Sequence, residues 1–198
     1  PYGVGLVAKR AHSGHHSGVT IVRPGTYLCE DTPDYIVSVV VPVIQHCRQL
    51  ARRVVVTPGI RNLWFYPCSD DMGCFFSAAG TGMGRWGFTC MQPILYYGHD
   101  PYLEQGLGSR ANSCGQTYPN DANDVDFPCA KPIRMMRWLV TRASTQGDGV
   151  LDPFMGSGPI LQVAKDMNRE AIGMDISEHA CEIAVNRLRQ GVLPFSAD

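Results

Sequence analysis

The chain has 198 residues, a formal net charge of −1, 44% hydrophobic and 18% charged residues. This is enough apolar content for one α/β domain with a sizeable core, and it excludes a disordered chain and a uniformly basic nucleic-acid binder. No apolar run is long enough to span a bilayer, and the first residues lack the basic start and apolar centre of a signal peptide, so no membrane partner and a cytoplasmic location are expected.

Residues 1–33 are punctuated by glycine and proline and read as loop. Helical spacing of Ile36, Val40, Val43, Ile44, Cys47 and Leu50 predicts a helix over 34–53, with a kink at Pro42. Residues 53–57 predict a short buried strand, ended by Pro58-Gly59, and 63–66 form another apolar run. A strand is expected over 88–97, broken at Pro93. Residues 98–128 show no period and are expected to be a long functional loop. A helix over 133–144 and a turn at 146–149 lead into a strand at 150. Eight cysteines are scattered without a CxxC pair, which favours reduced thiols over a disulfide scaffold or zinc knuckle. His12, His15 and His16 sit in a Ser/Gly loop and are expected to be solvated; no metal site is assigned.

The most informative stretch is Val150-Leu151-Asp152-Pro153-Phe154-Met155-Gly156-Ser157-Gly158, followed by a helix pattern over 159–167. Strand, glycine loop and helix in succession form the arrangement by which open α/β sheets bind nucleotide-like ligands at a strand's carboxyl end. The loop lacks the Gly-Lys-Ser/Thr ending of a P-loop and the third glycine of a dinucleotide fingerprint. A carboxylate at the strand tip repels a pyrophosphate but suits a ligand with an ammonium and hydroxyls, such as S-adenosylmethionine. A second apolar strand, 171–176, carries Asp175, which lies 17 residues after Gly158. That is close to the offset of about 20 at which an acidic residue accepts hydrogen bonds from ribose hydroxyls. Ser177 then reads as the N-cap of a helix over 178–189.

Strands alternate with helices, which predicts a doubly wound α/β fold with a mainly parallel sheet. The glycine loop normally follows the first strand of such a fold, yet here only one strand–helix unit follows it. The order is therefore permuted. With its motifs, the chain resembles the permuted β group of DNA amino-methyltransferases, in which the catalytic half precedes the cofactor half. Asp152-Pro153-Phe154-Met155-Gly156-Ser157-Gly158 resembles that family's cofactor loop. Phe127-Pro128-Cys129-Ala130-Lys131-Pro132 resembles its His-Pro-Thr-Gln-Lys-Pro element, departing at Phe127, Cys129 and Ala130 and matching at Lys131 and Pro132. Pro1-Tyr2-Gly3 resembles the end of its catalytic Asp/Ser-Pro-Pro-Tyr element. The match begins inside that element, so a longer protein is expected.

The resemblance implies a single Rossmann-like, S-adenosylmethionine-dependent methyltransferase domain over 1–198. Its catalytic half would be 1–98, a short target-recognition loop 99–126 and its cofactor half 127–198. Lys131, Pro132, Asp152, Pro153, Phe154, Gly156, Ser157, Gly158 and Asp175 are the expected cofactor residues. Pro1 and Tyr2 are the expected catalytic residues beside the target base. An exocyclic amine is a poor nucleophile, so acceptors must be aimed at its NH₂, and Tyr2 can stack on a base that has left the duplex. Tyr2-Gly3 favours adenine N6 as the target. The alternatives are an N4-cytosine or RNA methyltransferase, or an inactive module that keeps the fold. Residues 1–61 carry seven basic and three acidic residues, and 62–126 carry two and seven. DNA is the expected partner, with Lys9, Arg10, Arg23 and Arg110 as contacts. The acidity of the recognition segment suggests that a homodimer or partner subunit completes the binding. Trp64, Trp86 and Trp138 are expected to be core or loop packing.

Overall fold

The structure, a computed structural model, describes residues 32–78, 83–116 and 131–189. It divides into two compact units, Pro1–Pro119 and Asn120–Asp198.

In the first unit, Thr32 caps the opening turn, its hydroxyl accepting from the Tyr35 N–H at 3.2 Å, and Pro33 occupies the first helical turn, where its missing N–H costs nothing. Helix α1 runs from this turn (Pro33–Tyr35) through a π-helical stretch (Ile36–Val40) into Val41–Leu50. The expected kink at Pro42 takes this form. Proline cannot donate to Ser38, and its ring crowds that carbonyl, so the preceding turn widens and the Val41 N–H reaches back to Ile36. Ile36, Val40 and Ile44 form the buried stripe of α1. The helix stops at Leu50, three residues short of the expected end, where Ala51 turns extended.

Strands β1 (Val54–Val56), β2 (Asp71–Ser77), β5 (Met91–Tyr97) and β6 (Cys114–Gln116) form one sheet in the order β1-β5-β2-β6. Strands β1, β2 and β6 point the same way, and β5 runs against its two neighbours. A small hairpin, β3 (Met83–Gly84) with β4 (Gly87–Phe88), lies between β2 and β5 in the chain. Phe88 belongs to this hairpin, so the strand expected from 88 begins at Met91.

Pro93 does not break β5; it is fully buried opposite Cys74. The bond from the Ser77 N–H to the Cys90 carbonyl sets the alternation along β2 and β5, and places Pro93 at a non-hydrogen-bonded position toward β2. Its ring nitrogen faces the other side, where the pairing with β1 has ended at Val56↔Leu95. A proline is tolerated there because no ladder bond is lost.

Within the stretch expected to be structureless, the described residues 98–116 are structured. They hold a short helix, α2 (Pro101–Glu104), capped by the Asp100 carboxylate, and strand β6. The Asn112 amide donates to the Asp71 carboxylate and the Met72 carbonyl, and the Tyr96 hydroxyl donates to the Asn112 carbonyl. These polar ties replace the hydrophobic periodicity that the sequence lacks.

The second unit is built from α3 (Ile133–Ala143), β7 (Gly149–Asp152), α4 (Pro159–Asp166), β8 (Glu170–Gly173) and α5 (Glu178–Arg189). Strands β7 and β8 are parallel, with Leu151 opposite Ile172 and Asp152 opposite Gly173. Helix α4 makes the crossover and ends at Met167, after which Asn168 adopts a left-handed conformation (φ 59°). The core comprises Met135, Met136, Leu139 and Val140 of α3 with Leu161, Val163 and Ala164 of α4. Met155, Leu161 and Ala184 pack together beneath the glycine loop. The α/β alternation is as expected, and the strand directions are mainly parallel apart from β5 and the β3–β4 hairpin.

Gly73 and Gly98 mark backbones in close approach. A Cβ on Gly73 would stand 1.9 Å from the Asn112 carbonyl oxygen, and one on Gly98 (φ +89°) 2.3 Å from that of Arg52. Gly73→Ala is expected to cost roughly 3 kcal/mol, because the neighbour is backbone rather than a movable side chain. Gly115→Ala, with open space around it, should stay within about 0.5 kcal/mol of wild type. Urea unfolding of both variants measures the difference; equal midpoints would mean that β2 and the 110–113 segment separate at little cost.

Candidate cofactor site

The site lies at the carboxyl tips of β7 and β8. Neither tip ends as a free strand. The Met174 N–H donates to the Asp152 carbonyl at 2.9 Å, and the Met155 N–H donates to the Met174 carbonyl at 3.0 Å. Strand β8 ends at Gly173, two residues before Asp175, because the chain turns there to make these bonds.

The loop between β7 and α4 is shaped by its two acidic residues. Asp152 Oδ1 accepts from the Phe154 N–H at 3.1 Å, an Asx turn that bends the chain out of the strand. The Gly156 N–H donates to Asp175 Oδ2 and the Ser177 N–H to Asp175 Oδ1, both at 2.9 Å. Gly156 (φ 53°) and Gly158 (φ 72°) take left-handed conformations. A Cβ on Gly158 would come within 2.9 Å of the Ala184 Cβ, and one on Gly173 within 2.4 Å of the Met155 sulfur. Ser177 caps α5 as expected, its hydroxyl accepting from the Ala180 N–H at 3.2 Å.

Burial pushes the Asp152 carboxyl above the ordinary aspartate value; the Phe154 N–H and the Lys131 ammonium oppose this, and the Asp175 carboxylate adds to it. Lys131, Asp152, Phe154, Gly156, Ser157, Gly158 and Asp175 therefore belong to one locality. Pro132 contributes to it through the chain, its carbonyl accepting from Met136 at the start of α3. Pro153 sits in the turn after Asp152.

The Ser157 hydroxyl is buried at 1% exposure and has no hydrogen-bond partner among the described residues. A buried hydroxyl without a partner, inside a glycine loop between two carboxylates, fits a site whose remaining polar contacts come from a ligand. The donor set suits S-adenosylmethionine: carboxylates for ammonium and ribose hydroxyls, a lysine for a carboxylate, and glycines that admit close approach. Met174 and Ile176, exposed on either side of Asp175, add apolar surface beside the acid. Sequence reasoning did not find the tie from Asp175 to Gly156. The bond to the Ser177 N–H was missed as well, although an acid two residues before a helix cap is a local signal for it.

Pro1, Tyr2, Lys9, Arg10 and Arg23 lie outside the described residues. Arg110 is in the first unit, where its guanidinium pairs with Asp100 at 2.7 Å and lies 3.6 Å over the Tyr102 ring. The six described cysteines are free thiols, and no helix of the described residues is long and apolar enough to cross a membrane.

Known proteins fit this arrangement. A family model of DNA methylases of the N6/N4 type matches residues 57–186. The chain is 43% identical over 66 residues to the Type II methyltransferase M.HpaI of Haemophilus parainfluenzae, covering 33% of this chain and 21% of that protein. It is also 43% identical over 58 residues to the Type II methyltransferase M.HindIII of Haemophilus influenzae, covering 29% and 19%. The matched stretch thus spans about a fifth of the length of each relative. Among solved structures, an M1.HpyAVI–SAM complex superposes with a TM-score of 0.57 at 16% identity, over 75% of this chain and 82% of that one. That likeness establishes the Rossmann-like methyltransferase fold. Because the family model runs from the end of β1 to within α5, the chain belongs to the N6/N4 DNA methylase family, whose methyl donor is S-adenosylmethionine.

Proposed function

We propose that the protein is an S-adenosylmethionine-dependent DNA methyltransferase that modifies an exocyclic base amine, adenine N6. The observation that carries the reading is the Asp152–glycine loop–Asp175 constellation, with the partnerless Ser157 hydroxyl inside it. The family's description as DNA methylases supports DNA as the substrate, and the Tyr2-Gly3 pair supports adenine.

When bound, S-adenosylmethionine supplies an electrophilic methyl on a sulfonium. The residues of the chain orient and neutralise. Asp175, held by two backbone N–H groups, accepts from the ribose hydroxyls without having to reorganise. Asp152 and Lys131 match the opposite charges of the amino-acid end, and Ser157 gains the hydrogen bond it lacks. Phe154, Pro153 and Pro132 shape the walls. Pro1 and Tyr2 border the target base, where Tyr2 stacks on it and a proline-held carbonyl accepts from its NH₂. Lys9, Arg10 and Arg23 contact phosphate, and a second copy or partner subunit extends the DNA surface. The domain works as a catalytic half over 1–98, a recognition segment over 99–126 and a cofactor half over 127–198.

Asp175→Ala is expected to weaken S-adenosylmethionine binding, measured by calorimetry, roughly 10- to 100-fold, the value of charge-assisted hydrogen bonds to hydroxyls. Unchanged affinity in a folded variant would refute the site. With tritiated cofactor and unmethylated DNA, the full-length protein should place label on adenine N6; label on cytosine N4 would move the target, and none would remove the activity.

The raised Asp152 carboxyl has a signed consequence. The folded state holds its proton to higher pH than the unfolded chain, so stability falls as pH rises between the unfolded and folded values. Asp152→Asn should flatten that segment of the stability–pH curve in thermal unfolding. A variant that keeps the wild-type slope would assign it to another group.

A further inference from the structure

In the first unit's sheet, Asp70, Asp71, Asp100 and Glu104 lie at the edge where β1, β2 and β6 begin. Two arginines there are neutralised: Arg53 pairs with Glu104 at 2.6 Å and Arg110 with Asp100 at 2.7 Å. At the opposite, carboxyl edge the connections leaving β1 and β2 contain no Asp or Glu at all, over 57–69 and 78–90, and each carries one arginine, Arg61 and Arg85. Both are exposed and form no ion pair with a described residue.

The same two connections present aromatic rings to solvent. After β1, buried Asn62 and Tyr66 anchor the 3-10 turn Leu63–Phe65, and between these anchors Trp64 is 85% exposed. After β2, the β3–β4 hairpin closes through Arg85 and Trp86, and the Trp86 indole is fully exposed, with Phe88 73% exposed on the next strand. Gly87, at φ +119°, makes the turn tight and sets the indole at its tip. The expectation that these tryptophans serve core or loop packing is not met at 64 and 86. Indoles set this far into water, each within three residues of an arginine, mark a contact surface.

We infer that this edge is a DNA-contacting surface in which the Trp86 indole stacks on a base and Arg61 and Arg85 meet phosphates. Every base offers a π-face to an indole, and every phosphate offers acceptors to a guanidinium; these two connections carry no Asp or Glu to repel a phosphate. A base that leaves the duplex for methylation unstacks its neighbours, which an inserted aromatic side chain can support. The inference rests on the DNA-methylation reading and adds residues to it: a second element that touches nucleic acid, built on a hairpin and a 3-10 turn.

The test uses the full chain and a short fluorescein-labelled duplex at several salt concentrations, with cofactor affinity measured in parallel. Trp86→Ala should weaken DNA binding about tenfold, the scale of one lost base stack, and leave S-adenosylmethionine affinity unchanged. Arg85→Gln and Arg61→Gln should each lower the slope of log affinity against log salt by about one. Wild-type DNA affinity and salt slope in all three variants would overturn the inference. So would a wild-type chain that binds cofactor but not the duplex, or a dimer that Trp86→Ala dissociates with DNA affinity intact; the last would make the edge a protein interface. Loss of cofactor binding in the wild type would instead strike the parent reading.

Discussion

The second unit depends on one contact: the Gly156 N–H held by the Asp175 carboxylate. It joins the loop that leaves β7 to the segment that leaves β8, where two further backbone bonds already bind Asp152 and Met155 to Met174. A charge-assisted bond of this kind is about twice as strong as a neutral one. It also fixes the direction of both carboxylate oxygens, since the Ser177 N–H takes the other. The glycine loop, the start of α4 and the cap of α5 are thus set by a single acidic side chain. The same acid is the one proposed to bind the ribose hydroxyls, so under that reading the residue that shapes the loop and the residue that reads the ligand coincide.

This coincidence explains what was legible in the sequence. Asp152, Gly156, Gly158 and Asp175 were identifiable because each position demands a particular residue: a carboxylate that turns the chain, backbones with positive φ, and an acid at a fixed offset. Helix α5 and its Ser177 cap were legible for the same reason, because capping chemistry is local. What was missed depends on partners distant in sequence. Pro93 looked like a strand breaker, yet its harmlessness follows from where β1 stops. The order in 98–116 rests on Asn112 bonding to Asp71 and Arg110 to Asp100, ties no hydrophobic period reveals. The exposure of Trp64 and Trp86 was equally hidden, since an indole's composition does not say which side of a turn it occupies.

The first unit shows how antiparallel β5 organises its charges. Because β5 returns between β1 and β2, its connection to α2 emerges at the edge where those two strands begin. Asp100 and Glu104 therefore meet Arg110 and Arg53 there, and pairs that are half-buried avoid the cost of leaving either charge alone. At the opposite edge, the connections leaving β1 and β2 carry no acids over 57–69 and 78–90. The gathering of these ion pairs at one edge is thus a product of topology acting on the order of residues.

Asp152 carries the argument for ligand choice furthest. Its carboxyl is disfavoured as an anion by burial and by Asp175, and Lys131 only partly compensates. A ligand that brings an ammonium group stabilises the ionised form at the point where the protein does so least. On the proposed reading, a nucleoside lacking an amino-acid chain would occupy the ribose position and leave Asp152 with only the Phe154 N–H and Lys131 to offset its burial. Buried polar groups left without partners are what give sites their steepest discrimination. Ser157 adds a second such group in the same loop. On the proposed reading, selectivity for a nucleoside with a zwitterionic tail over a plain nucleoside would follow from these two groups set beside a well-satisfied one. Asp175 holds the frame, and Asp152 and Ser157 respond to what enters it.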